Sequence, residues 1–192
     1  MLAVGCYVHI QPEVIIFYWN AAHQTKVSFL DIHIRSEGCD DPGKTGVCGT
    51  AYIQVNGKDH SPHKRGHNVV IVDAKTGVVL GSEGFDTYGD PDAGVRLRDY
   101  LNAINGDKIV LVATQDEAST YVSPAMDALR RLGATDPILA AFRGSFALAG
   151  YAQPNKPSWI TQVQHKRYQG PSEIFLKIPP MESRQQGKNI II

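Results

Sequence analysis

Hydrophobic side chains recur at every second residue through much of the first half of this chain, and at every third or fourth residue through parts of the second. "KVSFLDIHI" alternates cleanly, with Val27, Phe29, Asp31 and His33 on one side and Ser28, Leu30, Ile32 and Ile34 on the other. That period belongs to a strand that sends Leu30, Ile32 and Ile34 into a core. "EVIIFYW", "TAYIQVNG" and "HNVVIVDAKTGVVL" are likewise rich in β-branched and aromatic residues, with Lys75-Thr76-Gly77 as a hairpin turn. The period then changes at Asp90-Pro91, Ser123-Pro124 and Asp136-Pro137, each of which reads as an N-cap followed by proline at the first helical position. Val95, Leu97, Leu101 and Ile104 form one buried stripe. Met126, Leu129 and Leu132 form a second, closed by Gly133 as a left-handed stop. A third helix, "PILAAF", is expected to run about two turns. The apolar runs "KIVLVAT", "SFALAGYA" and "EIFLKIP" add strands. Antiparallel strands with helices packed on them make an α+β fold.

At 192 residues the chain can bury a core without help from a metal. Lysine plus arginine equals aspartate plus glutamate at 19 each, so no basic field exists to hold nucleic acid. No apolar run approaches the roughly 20 residues that cross a bilayer, so no membrane insertion is expected. The opening "MLAVGCYVHIQPE" lacks the pattern of a secretory leader, so a secreted form would have lost its signal. Cys39 and Cys48 bracket "DDPGKTGV", whose Pro-Gly centre turns the chain back on itself, so a disulfide is expected rather than free thiols. Closing that loop stabilises by about 2.7 kcal/mol and suits an oxidising compartment. Cys6 is left over and reads as a small buried side chain.

Catalytic signatures are absent: there is no G-x-S-x-G, P-loop, G-x-G-x-x-G or H-E-x-x-H. Asp116 and Glu117 are neighbours, so on a strand they face opposite ways and cannot flank one glycosidic bond. No enzyme activity and no cofactor are expected. "HSPHKRGHN" holds His60, His63 and His67, but Pro62 excludes a helix that would gather them, and Lys64 and Arg65 oppose a divalent ion. Asp40 and Asp41 fall short of the six to eight oxygens that calcium takes. No metal is expected.

"KRGHNVVIVDAKTGVVLGSEGFDTYGD", "IVLVATQDEAS", "ALRRLGA" and "FRGSFALAGY" together resemble the interleukin-like epithelial–mesenchymal transition inducer and pancreatic-derived factor domain family. The same domain type occurs in the hyaluronan-binding cell-migration inducer and in the stem of the protein O-mannose N-acetylglucosaminyltransferase. The resemblance runs from Lys26 to Pro180, leaving 1–25 as an N-terminal extension and 181–192 as a tail. It implies two twisted antiparallel β-sheets flanked by about three short α-helices, in a secreted protein without catalysis. In the transferase stem the domain looks like a module for β-linked N-acetylglucosamine, held by the arginine of "RGxxV", the aspartate of "KDE" and the arginine of "WRD". These match Arg65 in "KRGHN", Asp116 in "QDEAS" and Arg143 in "FRGSF". Where the stem has "WRDTW", Phe142 to Phe146 loses a carboxylate and both indoles, which leaves galactose and N-acetylgalactosamine equally open as ligands.

The residues support that transfer on their own chemistry. Arg65 precedes a strand, Asp116 ends one and Arg143 lies in a turn before another, so all three can gather at one end of the sheets. Guanidinium offers a rigid fork of donors to a sugar, and carboxylate accepts from paired hydroxyls. The alternative is an internal ion pair in which Arg65 or Arg143 neutralises Asp116. His67 is expected to line the site and to make binding pH-sensitive near 6 to 7. Trp159, Tyr151 and Phe142 are candidates for a sugar-stacking ring. The expectation is a secreted lectin for terminal GlcNAc, GalNAc or galactose. The strand "EVIIFYW" would favour a homo-oligomer. Its rivals are a cytokine-like signalling protein bound by a protein receptor, and a structural adhesion domain.

Overall fold

The computed structural model describes residues 29–138 and 141–179; the expected strand "EVIIFYW", Cys6 and the tail from residue 180 lie outside the described residues. The strands are β1 Leu30–Gly38, β2 Tyr52–Val55, β3 Lys58–Asp59, β4 Gly66–Asp73, β5 Val79–Phe85, β6 Lys108–Asp116, β7 Ser145–Tyr151, β8 Thr161–His165 and β9 Ser172–Ile178. The helices are α1 Ala93–Ala103 and α2 Met126–Leu132, the latter entered through a 3-10 turn at Ser123–Ala125. The fold is α+β, as the patterning indicates.

The expectation of two sheets needs a correction, because the strands hydrogen-bond into one nine-stranded sheet. One half runs β9-β1-β2-β3 and the other β5-β4-β6-β7-β8, all antiparallel. They join where Glu37 and Gly38, the last residues of β1, pair in parallel with Gln115 and Asp116 of β6. Strand twist accumulates across so wide a sheet, and the sheet curls until its halves face each other. Ile32, Ile34, Ile53 and Ile174 from one half then meet Val70, Ile109, Leu111 and Ala147 from the other. On the far side of the second half, Val69, Val110, Val112 and Leu148 pack against Leu97, Leu101, Leu129 and Leu132 of the helices. β6 and β7 therefore lie between two apolar layers, which is why both read as uninterrupted hydrophobic runs.

Gly133 takes φ 112° at the end of α2, a left-handed stop that frees the chain to turn. The third expected helix is not seen among the described residues. The side-chain amide of Gln162 holds the backbone of Thr135 on both sides, donating to its carbonyl (2.9 Å) and accepting from its N–H (3.0 Å). The Asp136 carboxylate, rather than capping a helix, accepts from Arg130 at 2.8 Å. Competing hydrogen bonds thus override the Asp-Pro start signal. Registers fix what matters for function: β1, β5, β6 and β8 end, and β4, β7 and β9 begin, at the same end of the sheet.

Candidate functional site

β6 ends at Asp116, whose φ of 62° is left-handed and swings the chain out of the ladder. Gly66 of β4 pairs with Gln115, so Arg65 arrives beside Asp116. Arg143, also left-handed at φ 55°, leads into β7 on the other side. Its backbone N–H donates to the carboxylate of buried Glu117, and its carbonyl lies 2.1 Å from where a Cβ on Gly38 would stand. Only glycine at 38 lets β1 approach the turn that carries Arg143. The topology thus brings Arg65, Asp116 and Arg143 to one strand-end surface.

Each arginine is held by a carboxylate other than Asp116. Arg65 donates Nε and Nη2 to Asp86 at 2.9 and 2.6 Å, a bidentate fork, with its guanidinium 5.1 Å from the Tyr88 ring centre. Arg143 Nη1 donates to Asp40 at 3.1 Å, and Arg167 Nε donates to the same Asp40 oxygen at 2.6 Å. The Asp40 carboxyl is held below the usual carboxylate range, first by Arg143 and also by Arg167. Asp86 is lowered in the same way by Arg65. Asp116 goes the opposite way: burial raises its pKa against the opposing pull of Arg65 and Arg143. Among the described residues, nothing donates a hydrogen bond to its carboxylate. The expected alternative of an Arg–Asp116 staple is therefore not what forms.

The Cys39–Cys48 disulfide forms and lies at this surface, each sulfur within 4.8 Å of an Asp116 carboxylate oxygen. With both sulfurs joined to each other, that cluster presents a single carboxylate and no thiolate. Glu37 braces the loop, accepting from Arg35 Nε (2.6 Å), Thr45 N–H (2.7 Å) and Thr50 N–H (2.9 Å). Asp41 braces it again, accepting from the N–H groups of Gly38 (2.8 Å) and Gly170 (3.0 Å).

The expectations for His67 and for the Trp159 and Tyr151 rings are corrected. His67 does not line the surface: it is 2% exposed, set between Thr87 and Phe146, and burial pushes its pKa down to about 4. A binding transition near pH 6 to 7 has no source in it. Trp159 stacks edge-on against Tyr151 at the opposite end of β7, where Tyr151 pairs with Ile109 at the start of β6. Both rings therefore lie at the other end of β6 from Asp116. Phe142 alone of the three ring candidates is at the site, half exposed and 5.4 Å below the Arg143 guanidinium. The histidines do not gather either, since His63 pairs with Asp59 at 3.0 Å while His67 is buried. Asp86, Tyr88, Asp40 and Arg167 were not legible as site residues: they are contributed by turns distant in sequence, and no local pattern marks them. Three grooves on the described surface, of about 390, 470 and 550 Å³, are lined by residues other than Arg65, Asp116 and Arg143.

Together these features define a small α+β domain with a charged and aromatic surface at its strand ends. Residues 65–153 match the family model for the interleukin-like EMT inducer, a span that contains Arg65, Asp116 and Arg143. The chain is 39% identical over 80 residues to the mouse (Mus musculus) cell migration-inducing and hyaluronan-binding protein, covering 41% of this chain and 6% of that one. It is 31% identical over 125 residues to human (Homo sapiens) protein FAM3D, covering 64% of this chain and 49% of the relative. Rat (Rattus norvegicus) protein FAM3C is 32% identical over 87 residues, 45% of this chain and 37% of the relative. The chain is thus similar to the interleukin-like EMT inducer family over residues 65–153, and it matches half or less of the length of these relatives.

Proposed function

We propose that this protein is a secreted carbohydrate-binding protein that recognises a terminal sugar (GlcNAc, GalNAc or galactose) through Arg65, Asp116 and Arg143, without catalysis. The observation that carries this reading is Asp116, a partly buried carboxylate with no hydrogen-bond donor among the described residues, flanked by two arginines already held in place. A buried acceptor without a donor is costly, and a pair of sugar hydroxyls supplies what it lacks. The left-handed backbone at Asp116 and Arg143 adds support, since strain of that kind concentrates at binding sites. One relative is named for binding hyaluronan, itself a carbohydrate. The disulfide and the family relation favour the extracellular setting. Avidity would come from a homo-oligomer, and a monomer by light scattering at micromolar concentration would sink that part.

A second reading, a cytokine-like protein bound by a receptor, is favoured by the relation to the interleukin-like inducer. It predicts cell-surface binding that free sugars do not compete away. A glycan array, run with and without chelator on the protein and on folded Arg65→Ala and Asp116→Ala variants, separates the two. Selective binding lost in both variants supports the lectin; a blank array with folded protein moves the reading to a protein receptor.

A further inference from the structure

The surface does not stop at Arg143. Phe142 lies under two guanidinium groups at once, that of Arg143 at 5.4 Å and that of Arg167 at 5.6 Å. Arg167 also stands 4.6 Å from the ring centre of Tyr168, so rings and guanidinium groups run in an unbroken row away from Asp116. Both rings are open to solvent, Phe142 at 50% and Tyr168 at 62%. Arg143 and Arg167 share the single carboxylate of Asp40, which leaves guanidinium donors on both without a carboxylate partner among the described residues.

Tyr168 is the least expected member. Its φ is 69°, a left-handed conformation that a bulky side chain rarely adopts. The turn is nonetheless fixed, closed by Gln169 N–H to the Lys166 carbonyl at 2.9 Å and tied to the disulfide loop by Gly170 N–H to Asp41 at 3.0 Å. A strained residue presenting a solvent-exposed ring from a hydrogen-bonded turn adds nothing to the core, its one ring contact among the described residues being the Arg167 guanidinium, and such outliers point to function. An exposed flat ring beside free donors suits the C–H face and hydroxyls of a pyranose. The charges named here balance, since Arg65, Arg143 and Arg167 face Asp40, Asp86 and Asp116, so no net field selects a sulfated or uronic sugar.

We infer that Phe142, Arg167 and Tyr168 form a second subsite, and that the ligand is the end of a neutral oligosaccharide chain with at least two sugar residues in contact. This rests on the carbohydrate reading above. Calorimetric titration with N-acetylglucosamine, its β1,4-linked dimer and trimer, and with galactose and lactose in parallel, tests it. In the series that binds, the disaccharide is expected to be about tenfold tighter than the monosaccharide, equivalent to ~1.4 kcal/mol. Tyr168→Gly suits the left-handed φ and keeps the turn; it is expected to erase that gain while the monosaccharide affinity stays the same. Arg167→Gln is expected to reduce the gain as well. Equal affinity for monosaccharide and disaccharide, or an equal loss of both in Tyr168→Gly, overturns the subsite and leaves the single-sugar reading standing. A folded protein that binds neither series overturns both.

Discussion

Acid should loosen this fold earlier than its carboxylates alone would predict, and His67 is the reason. Its ring lies on β4 inside the second half of the sheet, and burial alone lowers its pKa from 6.5 to about 4, with no charged partner contributing. The Thr87 hydroxyl donates to the Ala118 carbonyl at 3.0 Å, so its oxygen accepts from His67 Nδ1–H at 2.8 Å, which fixes a neutral tautomer. In the unfolded chain the imidazole takes its ordinary pKa. A depressed folded pKa therefore contributes stability that is present in full above about pH 6.5 and is lost as pH falls towards 4. The gap between 6.5 and about 4, at 1.36 kcal/mol per pH unit, amounts to about 3 kcal/mol. That is a large share of the 5–15 kcal/mol typical of a domain. The perturbation is His67→Gln, which keeps an N–H for Thr87 and cannot titrate. Urea unfolding of both proteins at several values between pH 7.5 and 4.5 supplies the comparison. The natural protein is expected to lose about 2–3 kcal/mol across that window, while the variant starts less stable and stays nearly flat. Parallel slopes for the two would refute the reasoning.

Three further outcomes are expected. Asp116→Asn should raise stability at pH 7, because a raised folded pKa makes the charged form a burden once the pH exceeds it; the gain should vanish near pH 3, and sugar affinity should fall at least about tenfold. Denaturant melts at the two pH values check the first part and titration the second. Gly38→Ala puts a Cβ 2.1 Å from the Arg143 carbonyl, so about 2–3 kcal/mol should be lost, read as a lower unfolding midpoint. Replacing Cys39 and Cys48 by serine should cost about 2.7 kcal/mol and release Asp40 from Arg143 and Arg167, visible as a weaker disaccharide complex.

How much of this was legible in the residues depended on the range of the interaction. Leu30, Ile32 and Ile34 alternate inward as their spacing says, and Leu97, Leu101 and Ile104 face the core, because period is a local property that burial obeys; Val95, read into the same stripe, is instead exposed. Gly133 ends α2 for an equally local reason. Among the described residues no third helix follows Asp136, where Gln162, from β8, occupies the Thr135 backbone, which no window around Asp136 could show. At the site, a resemblance singled out Arg65, Asp116 and Arg143, and strand ends were enough to bring them together. Asp86, Asp40 and Arg167, which orient the arginines, come from turns 21 to 127 residues away from their partners, beyond any sequence spacing rule. His67 was misjudged by its neighbour: Arg65 lies just before β4 and stays exposed, whereas His67, two residues on and inside a strand buried on both faces, sits against Thr87 and Phe146.

The pairing of β1 with β9 has a mechanical corollary. Leu30 stands opposite Ile178 and Ser36 opposite Ser172, so the two strands that lead in and out of the described fold lie antiparallel with their outer ends side by side. Tension drawn through those ends would load the Leu30–Ile178 pair first and peel the strands apart one pair at a time, like a zipper, instead of straining seven pairs together in shear. A domain clasped this way yields at low force, and it yields from the end remote from Asp116, so a tethered molecule would open at its clasp before the strand ends around Asp116 came apart.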